Sequence, residues 1–433
     1  MSKFILNKAL SEHHHFRTNG ELFDYVNSEE FTQLFFQNQL DRPIYFNLKN
    51  GNEKRITTSY YIGVDWLIRN DLAIQIEPKI DTLSIKTDYL RMFLQALKHP
   101  GVSGHTSKLY DIKFDEPEIE IKNEDDFLTP LLIIRFVYLL KGLVKKGLRK
   151  DYITVEQNLS GKVKGKILVS KTIRKNHFQA NKTNTYCLFQ EYSVDCIENR
   201  VLKKAYNFCI RYTNQLQLKL NPEIINFINP AFEKVSSVVE LTELKAVKIG
   251  GLYKEYNEVL KLAKFILKRF GHNINSISSK EKIKTPPFWI DMSILFELHV
   301  LGLLKDRFGD KLKYHFKNSG NELDFLLNSE DYKLVIDAKY KPKYIRGKNN
   351  DDIRQISGYA RLKKVYEELE VSYPNSIDCL IVYPDQENGN KTLNDVNLKE
   401  KPIDAYEGVF KINIILPTQQ QKNGSEDNLI TNL

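Results

Sequence analysis

The chain has 433 residues, enough for two or three domains at about 150 residues each. Its 42% apolar content can fill real cores, and four cysteines in such a length exclude a disulfide scaffold. Lysine and arginine number 64 against 55 acidic residues, a net charge of +9, which excludes an acidic tail protein and permits an anionic partner.

The first residues, MSKFILNKALSEHHHFRTNG, hold no apolar run of the kind a secretory signal needs, so a cytoplasmic protein is expected. His13, His14 and His15 are consecutive, so their side chains diverge and no specific metal site is expected there. Residues 42–48 (RPIYFNL), 58–67 (TSYYIGVDWL) and 72–76 (LAIQI) are short, β-branched and aromatic, and read as strands. Tyr60, Tyr61 and Trp66 among them are expected to pack rather than to stack on bases. Residues 88–97 have helical spacing. Residues 1–120 thus form a mixed α/β domain, with 14 basic and 17 acidic side chains and a net charge of −3.

Residues 128–144 (LTPLLIIRFVYLLKGLV) form the most apolar run, but Arg135 and Lys141 interrupt it. A membrane span needs roughly 20 residues nearly free of charge, so a buried helix and no membrane contact are expected. Residues 141–182 then carry 12 Lys or Arg against Asp151 and Glu156, a net of +10. The densest part is GKVKGKILVSKTIRK at 161–175. It is either a solvated basic surface or a stripe that contacts nucleic-acid phosphates, with Lys162, Lys164, Lys166, Lys171, Arg174 and Lys175 as candidates. Its glycines lack P-loop spacing and the Ser/Thr that would hold Mg²⁺, so no nucleotide site is expected in this chain. Residues 183–275 read as helical: 186–211 repeats apolar positions at Leu188, Tyr192, Cys196, Val201 and Tyr206, and 253–270 is similar. Pro222 and Pro230 are expected to break the middle. The middle domain is set at 121–275, followed by a boundary loop at 273–287 that ends in two prolines. The cysteines at 187, 196, 209 and 379 form no C-x-x-C pair and hence no zinc-ribbon spacing.

Residues 288–308 read as a helix, with Met292, Leu295, Phe296, Leu298 and Leu303 for a core face and Glu297 among them. Strands are expected at 311–316, 322–327 and 332–339, the last two joined by a hairpin turn NSED. A helix over 351–369 leads to a buried strand at 377–383, which implies a parallel pair and a mixed sheet flanked by helices over 288–417. The overall fold class is α/β (α+β across the chain), ending in a polar tail at 418–433.

Three polar residues stand where this sheet should be apolar. Asp324 interrupts ELDFLL, and Asp337 and Lys339 interrupt KLVIDAKYK. Alternation puts Asp337 and Lys339 on one side of their strand, and Asp324 can face them from its neighbour. Clustered carboxylates raise one another's pKa, and a hard cation such as Mg²⁺ removes that penalty. A lysine beside it can orient water and stabilise a developing phosphorane, so the set suits phosphodiester hydrolysis. Gln355 and Tyr359 share a face of the next helix.

The order Glu297, Asp324, Asp337-x-Lys339 with a trailing Q-x-x-x-Y resembles the PD-(D/E)xK nuclease superfamily, and within it the McrC family. McrC is the nuclease subunit of McrBC-type and LlaJI-type restriction systems. FWIDMSILFELHV, ELDFLL, LVIDAKYK and IRQISGYA carry the resemblance. Weaker matches are YIGVDWLIRNDLAIQIEPKI, KKGLRKDYITVEQNLSGKVKGKI and FQEYSVDCIENRVLKKAY, so it runs in patches from about residue 60 to 385. One departure is Leu323, where the family has proline. The resemblance implies a C-terminal restriction-endonuclease-like domain. Glu297, Asp324 and Asp337 would hold Mg²⁺ (Mn²⁺ as a substitute), Lys339 would be the catalytic lysine and Gln355 a helper, with Tyr359 counted among the DNA contacts. It implies DNA as a partner, a McrB-like AAA+ NTPase met through the N-terminal and middle domains, with residues 1–120 foremost, and a companion DNA methyltransferase where unmodified sites are cut. Glu198, Asn199 and Arg200 match the family pattern and are expected to make structural contacts between domains. A self-sufficient repair nuclease and a non-catalytic AAA+ activator are the competing readings.

Overall fold

The computed structural model describes residues 4–11, 15–17, 46–49, 55–80, 86–89, 91–93, 109–122, 128–215, 222–239, 254–270, 282–318, 320–345 and 347–418. The chain divides into two units, one of Leu128–Glu281 and one built from Met1–Phe127 together with Lys282–Leu433.

The discontinuous unit holds two five-stranded sheets. The strand order of the first is Phe4–Ser11, Leu72–Glu77, Tyr61–Ile68, Phe288–Asp291, Tyr110–Ile112. Phe288–Asp291 was expected to open a helix. It is instead a fully buried strand, antiparallel to both neighbours. The aromatic and β-branched run FWI explains this, and the helix starts only at Met292, where the Asp291 side chain accepts from the Ser293 and Ile294 amides. Gly63 lets the two segments meet: a Cβ there would lie 2.0 Å from the Phe288 carbonyl oxygen. Next to it the buried Asp65 accepts from the Trp289 indole at 2.9 Å and pairs with Lys113 at 2.5 Å. Tyr61 and Trp66 are half-buried, and the Trp66 indole donates to the Pro117 carbonyl.

Lys282–Thr285 also departs from expectation. The polar stretch ending in two prolines reads as a loop, yet these four residues pair with Ile119–Lys122. Residues 271–281 lie outside the described residues, as do His13, His14, residues 42–45, half of the 88–97 stretch and the tail from 419.

The second sheet runs Leu312–Asn318, Asn321–Asn328, Lys333–Ala338, Asp378–Pro384, Val409–Ile414. The first two pairings are antiparallel and the last two parallel, the mixed sheet that the sequence implies. The expected single helix over 351–369 is two, Asn350–Tyr359 and Lys363–Leu369, separated by three residues that turn the chain. The break brings Ala360 and Val365 into the same core as Val335, Ile353, Ile356 and Ile381.

In the Leu128–Glu281 unit the helices Leu128–Lys146, Ile197–Gln215 and Lys254–Phe270 pack on one another. The apolar run at 128–144 is the first of these, and among the described residues no helix is long and apolar enough to cross a membrane. Residues 184–193, read as helical, form a strand instead: Asn184–Ser193 pairs over its whole length with Asp151–Ser160. Its Thr, Tyr and Phe residues favour a pleated ribbon, and the ten-residue partner supplies the backbone hydrogen bonds. Pro222 does not break a helix but begins Pro222–Ala231, where the missing N–H is harmless, and Pro230 sits in its last turn.

Within this unit Glu198, Asn199 and Arg200 make structural contacts. The buried Asn199 donates to the carbonyls of Arg149 and Val194 and accepts from the Tyr256 hydroxyl. Arg149 pairs with Glu198 at 2.7 Å and Asp151 at 2.5 Å, and Arg200 with Asp195 at 2.7 Å. The cluster fastens the base of this ribbon, two strands of a three-stranded sheet completed by Lys166–Ile167, to the helices. All four cysteines are buried and free.

Candidate active site

The register of the C-terminal sheet assembles the site. Phe325 pairs with Ile336 across two antiparallel strands, so the next step of that ladder sets Asp324 opposite Asp337. Asp324 accepts from the Ala338 amide at 2.9 Å, which fixes its carboxylate against the partner strand. Asp337 is 3% exposed. Burial, then the Asp337 and Glu297 carboxylates, hold the Asp324 carboxyl well above the usual carboxylate range. Two acidic groups are thus pressed together, Asp337 buried and Asp324 half-buried.

Lys339 follows two residues after Asp337 and lies on the same side, as alternation requires. Its Nζ is 2.7 Å from Asp337 Oδ2. Burial works to lower its pKa, but the Asp337 and Asp324 carboxylates outweigh that and raise it. The ammonium therefore keeps its charge at neutral pH. Lys339 Nζ also donates to Gln355 Oε1 at 3.2 Å, and Gln355 Nε2 donates to the Tyr359 hydroxyl at 2.9 Å. The expected shared face of Gln355 and Tyr359 is the face that meets the lysine. Tyr359 is half-buried against the core.

Three residues that sequence reading passed over hold this helix in place. Lys341 Nζ donates to both oxygens of the buried Asp352, at 2.8 and 2.9 Å, and the Tyr344 hydroxyl donates to Asp352 Oδ2 at 2.9 Å. Asp352 lies in the first helical turn, so the ion pair pins that turn to the segment just after Lys339. Gln355 follows one turn later on the same face. No periodicity marks Lys341 or Asp352, because their pairing depends on a turn with no regular spacing.

Glu297, on the helix Met292–Phe308, is within electrostatic reach of Asp324 and is engaged by His315 and Tyr314. Among the described residues no three His, Cys, Asp or Glu side chains converge as a ready-made metal cage. The opposed aspartates nevertheless suit a hard divalent cation, which commonly takes one or two protein carboxylates and completes its shell with water and phosphate oxygens. The raised proton affinity of Asp324 is the mark of a pair lacking enough positive charge.

Residues 56–384 match the McrBC family, described as a 5-methylcytosine restriction system component. The chain belongs to this family. No curated protein matches it. Among solved structures it is similar to a half-complex of Thermococcus gammatolerans McrB AAA+ hexamers with bound McrC, at 17% identity, covering 94% of each chain, with a TM-score of 0.38. The cryo-EM structure of the Thermococcus gammatolerans McrBC complex also matches, at 17% identity over 68% of this chain and 86% of that one, with a TM-score of 0.28. As an McrBC restriction component the chain combines this carboxylate site with a second polar surface. Lys162, Lys164, Lys166, Arg174 and Lys175 are exposed in the Leu128–Glu281 unit. Lys171 is half-buried and paired with Glu156. Lys164 lies over the Phe189 ring at 4.1 Å, and Val163, Val169 and Phe178 are exposed beside these cations.

Proposed function

We propose that this McrBC component is the metal-dependent DNA endonuclease subunit of its restriction system, with a PD-(D/E)xK site, and that it works on a McrB-like AAA+ NTPase. The observation that carries the reading is the Asp324–Asp337 opposition with Lys339 ion-paired beside it. Asp324 and Asp337 would hold Mg²⁺, with Glu297 as a third carboxylate. The cation, when bound, supplies Lewis-acid activation of the phosphodiester and of water.

The remaining chemistry belongs to the chain. Lys339 carries a fixed positive charge into the site, and its pairing with Asp337 aims it at the place where charge builds on the scissile phosphate. An ammonium held charged is a stabiliser of that charge and a donor to the leaving oxygen, not a base. Gln355 holds the lysine through its side-chain oxygen, and Tyr359 holds Gln355. Lys162, Lys164, Lys166, Lys171, Arg174 and Lys175 would meet DNA phosphates, which gives affinity without sequence preference. Family membership and the resemblance to McrC support the AAA+ partner.

The test is Lys339→Ala in the reconstituted complex. Cleavage should be lost while the circular dichroism spectrum and partner binding stay intact; retained cleavage overturns the assignment.

A further inference from the structure

His315 has no part in the chemistry above, yet it sits against one of its carboxylates. Its Nε2 lies 2.7 Å from Glu297 Oε1, and its Nδ1 lies 3.0 Å from Glu322 Oε1. The neighbouring Tyr314 also hydrogen-bonds Glu297. The two rings stack with centroids 4.0 Å apart and planes 29° from parallel.

In a regular strand this arrangement is impossible. Successive side chains point to opposite faces, so residues 314 and 315 could not both reach one carboxylate. The backbone resolves the conflict: His315 has φ +51°, the left-handed region that a non-glycine residue seldom enters. The pairing of Leu312–Asn318 with Asn321–Asn328 is interrupted at that one step. Tyr314 pairs with Phe325 and Phe316 with Leu323, which leaves His315 across from Asp324. The distortion thus lies directly opposite a residue of the proposed site, where strained backbone tends to be kept for function.

We propose that His315 is a positioning residue for Glu297. With Tyr314 it holds the carboxylate beside Asp324 and Asp337, and Glu322 anchors the imidazole from behind. The inference rests on the metal-site reading above. Partners of this kind orient ligating groups, and losing one typically weakens metal affinity about 10- to 100-fold.

The test is titration of the full chain with Mn²⁺ alone, followed by electron paramagnetic resonance, with thermal melts as a fold control. Wild type should bind, and Asp337→Asn should abolish binding. His315→Ala should weaken Mn²⁺ binding about tenfold or more, and His315→Gln, which restores one donor, should recover part of it. Adding His315→Ala to Glu297→Gln should change little further, because the group being positioned is already altered. In the assembled complex the Mg²⁺ needed for half-maximal cleavage should rise while the rate at saturating Mg²⁺ recovers. If Asp337→Asn abolishes binding but both His315 variants, folded, bind as wild type does, the positioning role is overturned. If wild type binds no Mn²⁺, or Asp337→Asn leaves binding unchanged, the metal-site reading falls and this inference with it.

Discussion

Asp324→Asn should stabilise the metal-free chain while removing its cleavage activity. The side chains are nearly isosteric, and the asparagine oxygen can still accept from the Ala338 amide that now donates to Asp324. Its amide nitrogen can donate to Asp337 in place of a repulsive contact. Residues opposed across antiparallel strands have Cβ atoms about 5 Å apart. Two carboxylates near that separation repel by about 3 kcal/mol at an effective dielectric of about 20. Lys339, 2.7 Å from Asp337, offsets part of this. A net gain of about 1–2 kcal/mol remains, or roughly 3–6 °C in melting temperature. The pH dependence has a definite sign. The folded pKa of Asp324 is raised, so the wild-type fold becomes more stable as pH falls through that value toward about 3.9, and the stability is lost as pH rises. The advantage of Asp324→Asn should therefore be largest near pH 7.5 and shrink on acidification. Added Mn²⁺ should raise the wild-type midpoint and leave the variant's where it was. The assay is thermal unfolding in EDTA at several pH values. A variant that melts below wild type at pH 7.5, or a gap that does not change with pH, refutes the reasoning.

Replacing Lys162, Lys164 and Lys166 together with alanine should weaken DNA binding and reduce the slope of log affinity against log salt by about 2–3; an unchanged slope returns these exposed residues to an ordinary solvated surface. Asn199→Ala removes two donated bonds and one accepted bond at the ribbon base, and should cost about 2–3 kcal/mol in chemical denaturation; a loss under about 0.5 kcal/mol would mean the cluster does not hold the ribbon. Gly63→Ala should destabilise by several kcal/mol or prevent folding, because its Cβ would meet backbone rather than a movable side chain; a normal melting curve would show that the strands can part without cost.

The C-terminal sheet was legible because its signals are local. Apolar alternation, a hairpin turn and a helix between two strands each fit within about ten residues, and polar residues that break such a pattern stand out. Asp324, Asp337 and Lys339 stand out this way, and the strand register sets them near one another, while Gln355 reaches Lys339 from the following helix. What the sequence concealed depends on partners far along the chain. The segment at 288–291 continues an apolar helix pattern, and only strands some two hundred residues earlier make it β. Apolar spacing at 186–211 fits a helix as well as a ribbon, and the pairing with 151–160 decides in favour of the ribbon for its first part. His315 gave no sign, because a left-handed backbone at a histidine leaves no periodic trace.

The strand Phe288–Asp291 also sets the order of events during synthesis. It sits between Tyr61–Ile68 and Tyr110–Ile112, both made much earlier. Between the last residue of the 110–112 strand and Asp291 the ribosome must add the whole Leu128–Glu281 unit. At about 5–20 residues per second this is roughly 10–35 s during which the Tyr61–Ile68 strand has an open edge. An unpaired edge invites pairing with another chain. Nascent chains stalled before residue 288 therefore carry an exposed template for association, and the Leu128–Glu281 unit, complete before that strand emerges, is free to fold first.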